Sequence, residues 1–239
     1  AVVTGVLLAF NLPAGIPWWI VVIGALIAIG IGKMTYGGLG TNPFNPALTG
    51  RIFLLMAYPV EMTDWTTSIP DALSGSTMLA EVKYNPALAS ELNFTEMFGG
   101  YMNGSMGEIS ALALILGGLY LLWRKVITWH IPVSILLTMA LFAMGYAIGF
   151  GGSLIYELPL FHLLAGGALL GAIYMATDYS TSPMTHKGMI IYGVGIGVIT
   201  MVIRLWGAYP EGMSFAIFIM NAATPLINKY CKPKRFGTK

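Results

Sequence analysis

The stretch "TYGGLGTNPFNPALTG", Thr35 to Gly50, decides how this chain folds. Its Pro and Gly density would end an ordinary helix, yet apolar segments flank it on both sides: Ile16–Lys33 before it and Arg51–Val60 after it. A second stretch, "ATDYSTSPMTHKG" (Ala176 to Gly188), has the same build and follows another apolar run, Leu158–Thr177. Thr41-Asn42-Pro43 aligns with Thr181-Ser182-Pro183, and Gly50-Arg51 falls about where Gly188 does. We read an internal repeat; the plainer alternative is a pair of Pro-containing loops. Irregular backbone survives at membrane depth only where protein buries it or it lines a cavity. Broken segments at matching positions of two halves point to a central binding site.

Composition sets the class. Of 239 residues, 56% are hydrophobic and only 9% charged, against about 25% charged in soluble domains. Such a chain cannot cover a soluble globule with polar groups, so we expect an integral membrane protein. The net charge of +2 and the lack of a basic-aromatic patch give no sign of nucleic-acid binding. The single cysteine, Cys231, excludes a disulfide framework within the chain and cannot hold an iron–sulfur cluster alone. The chain opens Ala1-Val2-Val3-Thr4, which leads us to expect that it is the C-terminal part of a longer protein.

A spanning helix needs about 20 mainly apolar residues. Ile16–Lys33, Glu108–Trp123, Ile131–Phe150, Leu158–Thr177, Gly188–Trp206 and Met213–Tyr230 fit or come close. Val2–Leu12 and Arg51–Val60 are shorter and read as half-helices or re-entrant arms. The segment from 61 to 107 holds Glu61, Asp64, Asp71, Glu81, Glu91 and Glu96 against Lys83 alone. Basic residues gather at Lys33 and Arg51, Arg124 and Lys125, Lys187, and Lys229 to Lys239. The positive-inside rule puts those ends and the C-terminus in the cytoplasm and the acidic loop outside. Arg204 alone falls near an outer end, to snorkel or pair there.

Acids at the edges of spanning segments are costly and therefore informative. Glu108 opens a helix after Gly104-Ser105-Met106-Gly107, either as a dipole-stabilising cap or as a functional carboxylate. Asp178 closes a helix, where the dipole disfavours an acid. Ion coordination or a pairing with Lys187 would account for it. Arg51 either holds an anionic group or marks a cytoplasmic end. His130, His162 and His186 are scattered without metal-ligand spacing, so no metal is assigned; His130 and His186 read as interfacial, His162 as a bundle residue. Gly193, Gly195 and Gly197 lie inside an apolar helix and read as close helix packing. "SGST", Ser74-Gly75-Ser76-Thr77, reads on its own as an exposed, hydroxyl-dense turn.

Dense motifs carry a resemblance over essentially the whole chain: "AVVTGVLLAFNLP", "GGLGTNPFNPALTGRIFLL", "DALSGST", "GSMGEISALALILGG", "YMATDYSTSPMTHKG" and "YPEGMSFAIFIMNAATPLINKY". The chain resembles the RnfD/NqrB family, which holds the D-type component of the Rnf electron-transport complex and the B-type component of the sodium-pumping NADH:quinone oxidoreductase. "TSPMT" and the compact C-terminal half favour the D type. The resemblance implies an all-α, polytopic bundle with inverted repeats and broken helices, similar to ammonium and urea channels. It implies one transmembrane domain over 1–239 with an outer flavin-bearing loop at about 61–107. In the family an S-G-A-T motif carries flavin mononucleotide (FMN), joined by a dedicated flavin transferase as a phosphodiester to the Thr hydroxyl. The matching residues are Ser74, Gly75, Ser76 and Thr77, with Ser76 where Ala is usual. A second, non-covalent flavin, riboflavin, is also implied, and carboxylates matching Glu108 and Asp178 are linked to ion passage.

The implied role is a membrane subunit of a redox-driven Na⁺ or H⁺ pump in a bacterial or archaeal cytoplasmic (inner) membrane. The complex would be an ion-translocating oxidoreductase working between reduced ferredoxin and NAD, with the other Rnf subunits (B, C, G, A and E) as partners. No catalytic side chain is expected, and the isolated chain is expected to lack full turnover. A passive channel or solute transporter is the rival reading, and an inert assembly component a third; neither explains Thr77.

Overall fold

The computed structural model describes residues 1–38, 40–66, 74–75, 77–84, 94–100, 104–150 and 159–232. The architecture is helical. Its one extended feature among the described residues is a two-residue antiparallel bridge, Trp65 to Gly75 and Thr66 to Ser74. Among the described residues three helices are long and apolar enough to cross a membrane: Trp18–Tyr36, His130–Gly149 and His186–Trp206. The chain is a multi-pass membrane protein.

The first half runs α1 (Val2–Phe10), α2 (Trp18–Leu26) and α3 (Pro46–Ala57). The second of these continues into a π-helical turn, Ile27–Ile31, closed by Gly32 N donating to the Ile27 carbonyl at 2.9 Å. The third starts where its sequence dictates. Pro46 occupies the first helical position, and Asn45 Oδ1 accepts from Ala47 N at 3.0 Å and Leu48 N at 3.4 Å. After α4 (Pro59–Thr63) and the bridge come two short helices, α5 (Met78–Tyr84) and α6 (Phe94–Gly99). Then follow α7 (Ala111–Trp123), α8 (His130–Phe150), α9 (Pro159–Leu164), α10 (Ala168–Leu170), α11 (His186–Trp206) and α12 (Met213–Tyr230).

The two Pro-rich stretches occupy matching places. Each follows an apolar helix that ends in a π turn, Ile27–Ile31 in one half and Gly171–Met175 in the other. Each ends in a capped helix whose first residue, Pro46 or His186, lies three beyond the aligned Pro. Thr185 Oγ1 accepts from Gly188 N at 3.2 Å, as Asn45 does for α3. The glycines align less well. Gly50 packs on the carbonyl of Gly24, whereas Gly188 sits two residues earlier in its helix, against Thr185 and Pro183.

Two expected spans differ. α7 begins at Ala111, capped by Ser110, so Glu108 precedes it and does not open it. The run expected at Leu158–Thr177 is not one helix; Leu158 itself lies outside the described residues. α9 stops at Leu164 and α10 restarts at Ala168, because Gly166 takes a left-handed φ of +66°. Hydropathy does not register such a break, since Ala165-Gly166-Gly167 is as apolar as a helix.

Close contact rather than apolar burial binds helices in lipid. A Cβ on Gly193 would overlap Ser134 Oγ of α8, and one on Gly197 would stand 2.8 Å from Thr138 Cβ. Gly195 faces the other way, where a Cβ would stand 2.6 Å from Met220 Cε of α12. The glycine run therefore lets α11 press against two neighbours, as read from sequence.

Candidate functional site

Arg51 lies in the middle of α3 and is 5% exposed. It neither marks a cytoplasmic end nor meets solvent. Its Nη1 donates to Glu108 Oε1 at 3.2 Å and to Asn11 Oδ1, and its Nη2 donates to Glu211 Oε2. Glu108, 4% exposed, comes from the turn before α7. Asn11 caps the C-terminus of α1, and Glu211 stands in the turn between α11 and α12. One guanidinium thus faces two carboxylates, that of Glu108 buried and that of Glu211 part-exposed, so the cluster holds one acid more than it has bases. Burying ions is expensive, and an apolar cluster of equal volume is commonly as stable. Stability alone does not explain such a group.

The cluster sits on the break in the second half. Gly167 N, at the start of α10, donates to Glu211 Oε1 at 2.9 Å. On the other side, Arg204 Nη1 donates to the His162 carbonyl at 2.6 Å and Nη2 to that of Ala165 at 2.9 Å. A cation therefore meets the C-terminal end of α9 and an anion the N-terminal end of α10, each matching the partial charge of the broken backbone. Arg204 is fully buried, so of the two expected fates, snorkelling or pairing, it takes the second. The carbonyls freed by the break hold it in place. A Cβ on Gly167 would overlap Glu211 Oε1 and lie 2.6 Å from Glu108 Oε1.

Thr77 is half-buried one residue before α5, and its Oγ1 accepts from Ala80 N at 3.3 Å. It shares a cavity of about 60 Å³ with Arg51, Glu211, Trp65, Tyr209 and Phe215. Ser74 and Gly75 form the bridge to Trp65 and Thr66; Ser76 lies outside the described residues. Asp178 is elsewhere, in a separate cavity of about 210 Å³ with Lys33, Asn42 and Tyr179. Its Oδ2 accepts from Ser180 Oγ at 2.9 Å and Thr181 Oγ1 at 3.2 Å, and its carbonyl accepts from Ser182 N at 3.1 Å. Among the described residues no ion pair joins it to Lys187. Local hydroxyls turning the chain, not a lysine, occupy the carboxylate.

The fold gathers residues that the sequence left apart. Glu211, Asn11 and Gly167 were not expected at a site. The visible signal for Glu211 was an acid in a Tyr-Pro-Glu-Gly turn at the mouth of an apolar helix. His130 and His186, scattered in sequence, stack with ring centroids 4.3 Å apart at the starts of α8 and α11, beside Trp129. His162 is buried in α9, edge-on to Phe161 at 5.6 Å.

The family model described as "NQR2, RnfD, RnfE family" matches residues 1–237. The chain belongs to the NQR2, RnfD, RnfE family. It is 50% identical over 242 residues to the D component of the Na(+)-translocating ferredoxin:NAD(+) oxidoreductase complex of Acetobacterium woodii, covering 99% of this chain and 72% of that protein. The D component of the proton-translocating ferredoxin:NAD(+) oxidoreductase complex of Clostridium ljungdahlii is 45% identical over 249 residues, 100% of this chain and 75% of the relative. The D component of the ion-translocating oxidoreductase complex of Stutzerimonas stutzeri is 41% identical over 272 residues, 99% and 75% of the two chains. Within this NQR2, RnfD, RnfE member, both Pro-rich stretches and the Arg51 cluster therefore lie in the matched region.

Proposed function

We propose that this chain is the D-type membrane component of an Rnf-class complex, a redox-driven Na⁺ or H⁺ pump working between ferredoxin and NAD. The observation that carries the reading is the match along nearly the whole chain to proteins named as the D component of such complexes. Other subunits of the complex are then its partners, with the B, C, G, A and E subunits the expected set. Two halves with matching π turns, each followed by a capped helix (α3 or α11), support an inverted-repeat fold akin to the ammonium and urea channels. Residues 1–239 would form one transmembrane domain.

At site level the proposal places FMN on Thr77, attached by a flavin transferase, with riboflavin as a second, non-covalent flavin. When bound, the flavin supplies the electron-carrying chemistry. The residues present fit it. Thr77 Oγ1 uses an acceptor lone pair within the protein, which an ester oxygen retains. Trp65, Tyr209 and Phe215 stand beside Thr77 in the lining of the shared cavity, whose volume of about 60 Å³ would leave the ring itself outside it. The protein's part is to position and to exclude water. The surplus negative charge of Arg51, Glu108 and Glu211 would stabilise a proton or monovalent cation, and Asp178 would offer a second carboxylate on the ion path. Charge placement supports the orientation. Lys83, on the helix that follows Thr77, meets the C-terminal end of α11, and the basic residues about Lys187 stand at its N-terminal end. Over 21 residues those ends lie ~30 Å apart, about one membrane core. The Thr77 side is then outer, the C-terminus is cytoplasmic, and the membrane is the cytoplasmic (inner) one.

The test is in-gel flavin fluorescence of the denatured chain co-produced with the transferase. A band that vanishes in Thr77→Ala supports the redox role. No band in the unaltered chain sinks the flavin assignment and favours a channel or an assembly component, which ion flux through the isolated protein would separate.

A further inference from the structure

Lys83 is the lone base in the acidic segment from 61 to 107. The fold gives it a definite place. Its Nζ donates to the carbonyls of Gly207 at 2.6 Å, Tyr209 at 3.1 Å and Ile203 at 3.5 Å. These are the last carbonyls of α11 and the turn beyond it, where an ammonium also meets the negative end of the helix dipole. The next residue repeats the contact, with Tyr84 Oη donating to the Ala208 carbonyl at 3.3 Å. Two residues later in that turn comes Pro210, and then Glu211, which holds Arg51 and Gly167.

The other face of the same short helix reaches the same place. Leu79 and Val82 are buried in one apolar cluster with Phe161 and Leu164 of α9. A Cβ on Gly166, at the helix break, would stand 3.4 Å from Leu79 Cδ2, 3.3 Å from Arg204 Nη2 and 3.8 Å from Glu211 Cγ. α5 is therefore held at two places, the C-terminal turn of α11 and the helix break at Gly166. Thr77 directly precedes it.

We propose that Lys83 is a positioning residue that fixes the Thr77-bearing helix to the Glu211 turn, so that the redox group and the Arg51–Glu108–Glu211 cluster are held as one unit. This rests on the assignment of the flavin to Thr77. A single ammonium converging on three carbonyls resists sliding of α5, because any shift strips bonds from a partly desolvated charge. A displacement at Thr77 then reaches Glu211 through a few covalent bonds of one turn. Without the clamp, the flavin keeps its attachment but loses its fixed distance from the buried charges.

The experiment compares Lys83→Ala, Lys83→Gln and Lys83→Arg in the assembled complex. Three quantities are read: the flavin band, the midpoint potential of the Thr77 flavin, and the ions moved per electron. We expect the band in all three variants. We expect a shifted potential and at least a threefold fall in ions per electron for Ala and Gln, both restored in Arg. An unchanged potential and ion ratio in Lys83→Gln overturns the proposal. Should Lys83→Ala fail to assemble, the reading moves to Tyr84→Cys with Ala208→Cys in a Cys231→Ser chain, probed by a short bismaleimide. Loss of that cross-link in Lys83→Gln supports the clamp, and retention overturns it. Absence of the flavin band from the unaltered chain is a different failure, which removes the Thr77 assignment and this inference together.

Discussion

Arg51 and Glu211, one on α3 and one in the turn between α11 and α12, form an ion pair that joins the first half of the chain to the second. Glu108 adds a second carboxylate to the same guanidinium at 3.2 Å. The pair also forms the wall of the cavity that Thr77 shares. The charged centre and the candidate cofactor position thus belong to one piece of structure.

Removing the cation from this group should be severe. Arg51→Ala leaves the buried Glu108 carboxylate without its cation, beside the part-exposed Glu211, and about 3 kcal/mol of stability should go with it. Arg51→Lys should recover only part, since one ammonium cannot reproduce a fork that serves Asn11, Glu108 and Glu211 together. Replacing Arg51, Glu108 and Glu211 together by apolar residues of similar volume should restore folding but not ion movement. Thermal unfolding in detergent measures the first effects, and ion flux in proteoliposomes the last.

Gly167→Ala should disrupt the break directly. The added methyl would overlap Glu211 Oε1 and stand 2.6 Å from Glu108 Oε1. A loss of about 1–3 kcal/mol is expected, with impaired ion transport in the assembled complex. Gly104→Ala, where nothing lies within 4 Å, is the matched control and should unfold like the parent.

The α8–α11 contact predicts a contrast between two glycines within spanning helices. Gly193→Ala should weaken the bundle, because its Cβ collides with Ser134 Oγ. Gly145→Ala, with open space around it, should be neutral or stabilise by about 0.5–1 kcal/mol through reduced backbone freedom. Unfolding temperatures of the two variants, side by side, decide this. If both fall equally, close glycine packing is not what joins these helices.

At the hydroxyl-rich turn, Thr77→Ser should keep the flavin band, because it keeps the attacking oxygen. Ser76→Ala should also keep it, and Thr77→Ala should lose it although the Ser76 hydroxyl remains. A persistent band in Thr77→Ala that disappears only in the double variant would relocate the attachment to Ser76.

Residue types and periodicity were enough for the membrane class, for most helices and for the two Pro-rich stretches. A spanning helix is specified locally by its own apolar length, and a capped start such as Asn45-Pro46 is specified by adjacent residues. Motifs quoted straight from the chain were likewise enough to place it in its family. The break at Gly166 was illegible, because a left-handed glycine amid apolar residues leaves hydropathy unchanged.

The charged centre was legible only in fragments. Glu108 and Arg51 stood out as acids and bases in costly places, but nothing local joined them to each other, to Asn11 or to Glu211. Asp178, equally conspicuous in sequence, was drawn instead into hydrogen bonds with Ser180 and Thr181. Lys83 looked like a stray base in an acidic loop until the end of α11 was seen beneath it. Apolar length along the chain marked segments able to cross a membrane, because that depends on the free energy of each segment taken singly. Helix packing settled which buried charges meet, because a carboxylate in a dry interior takes its partner from whatever distant helices bring within hydrogen-bond reach.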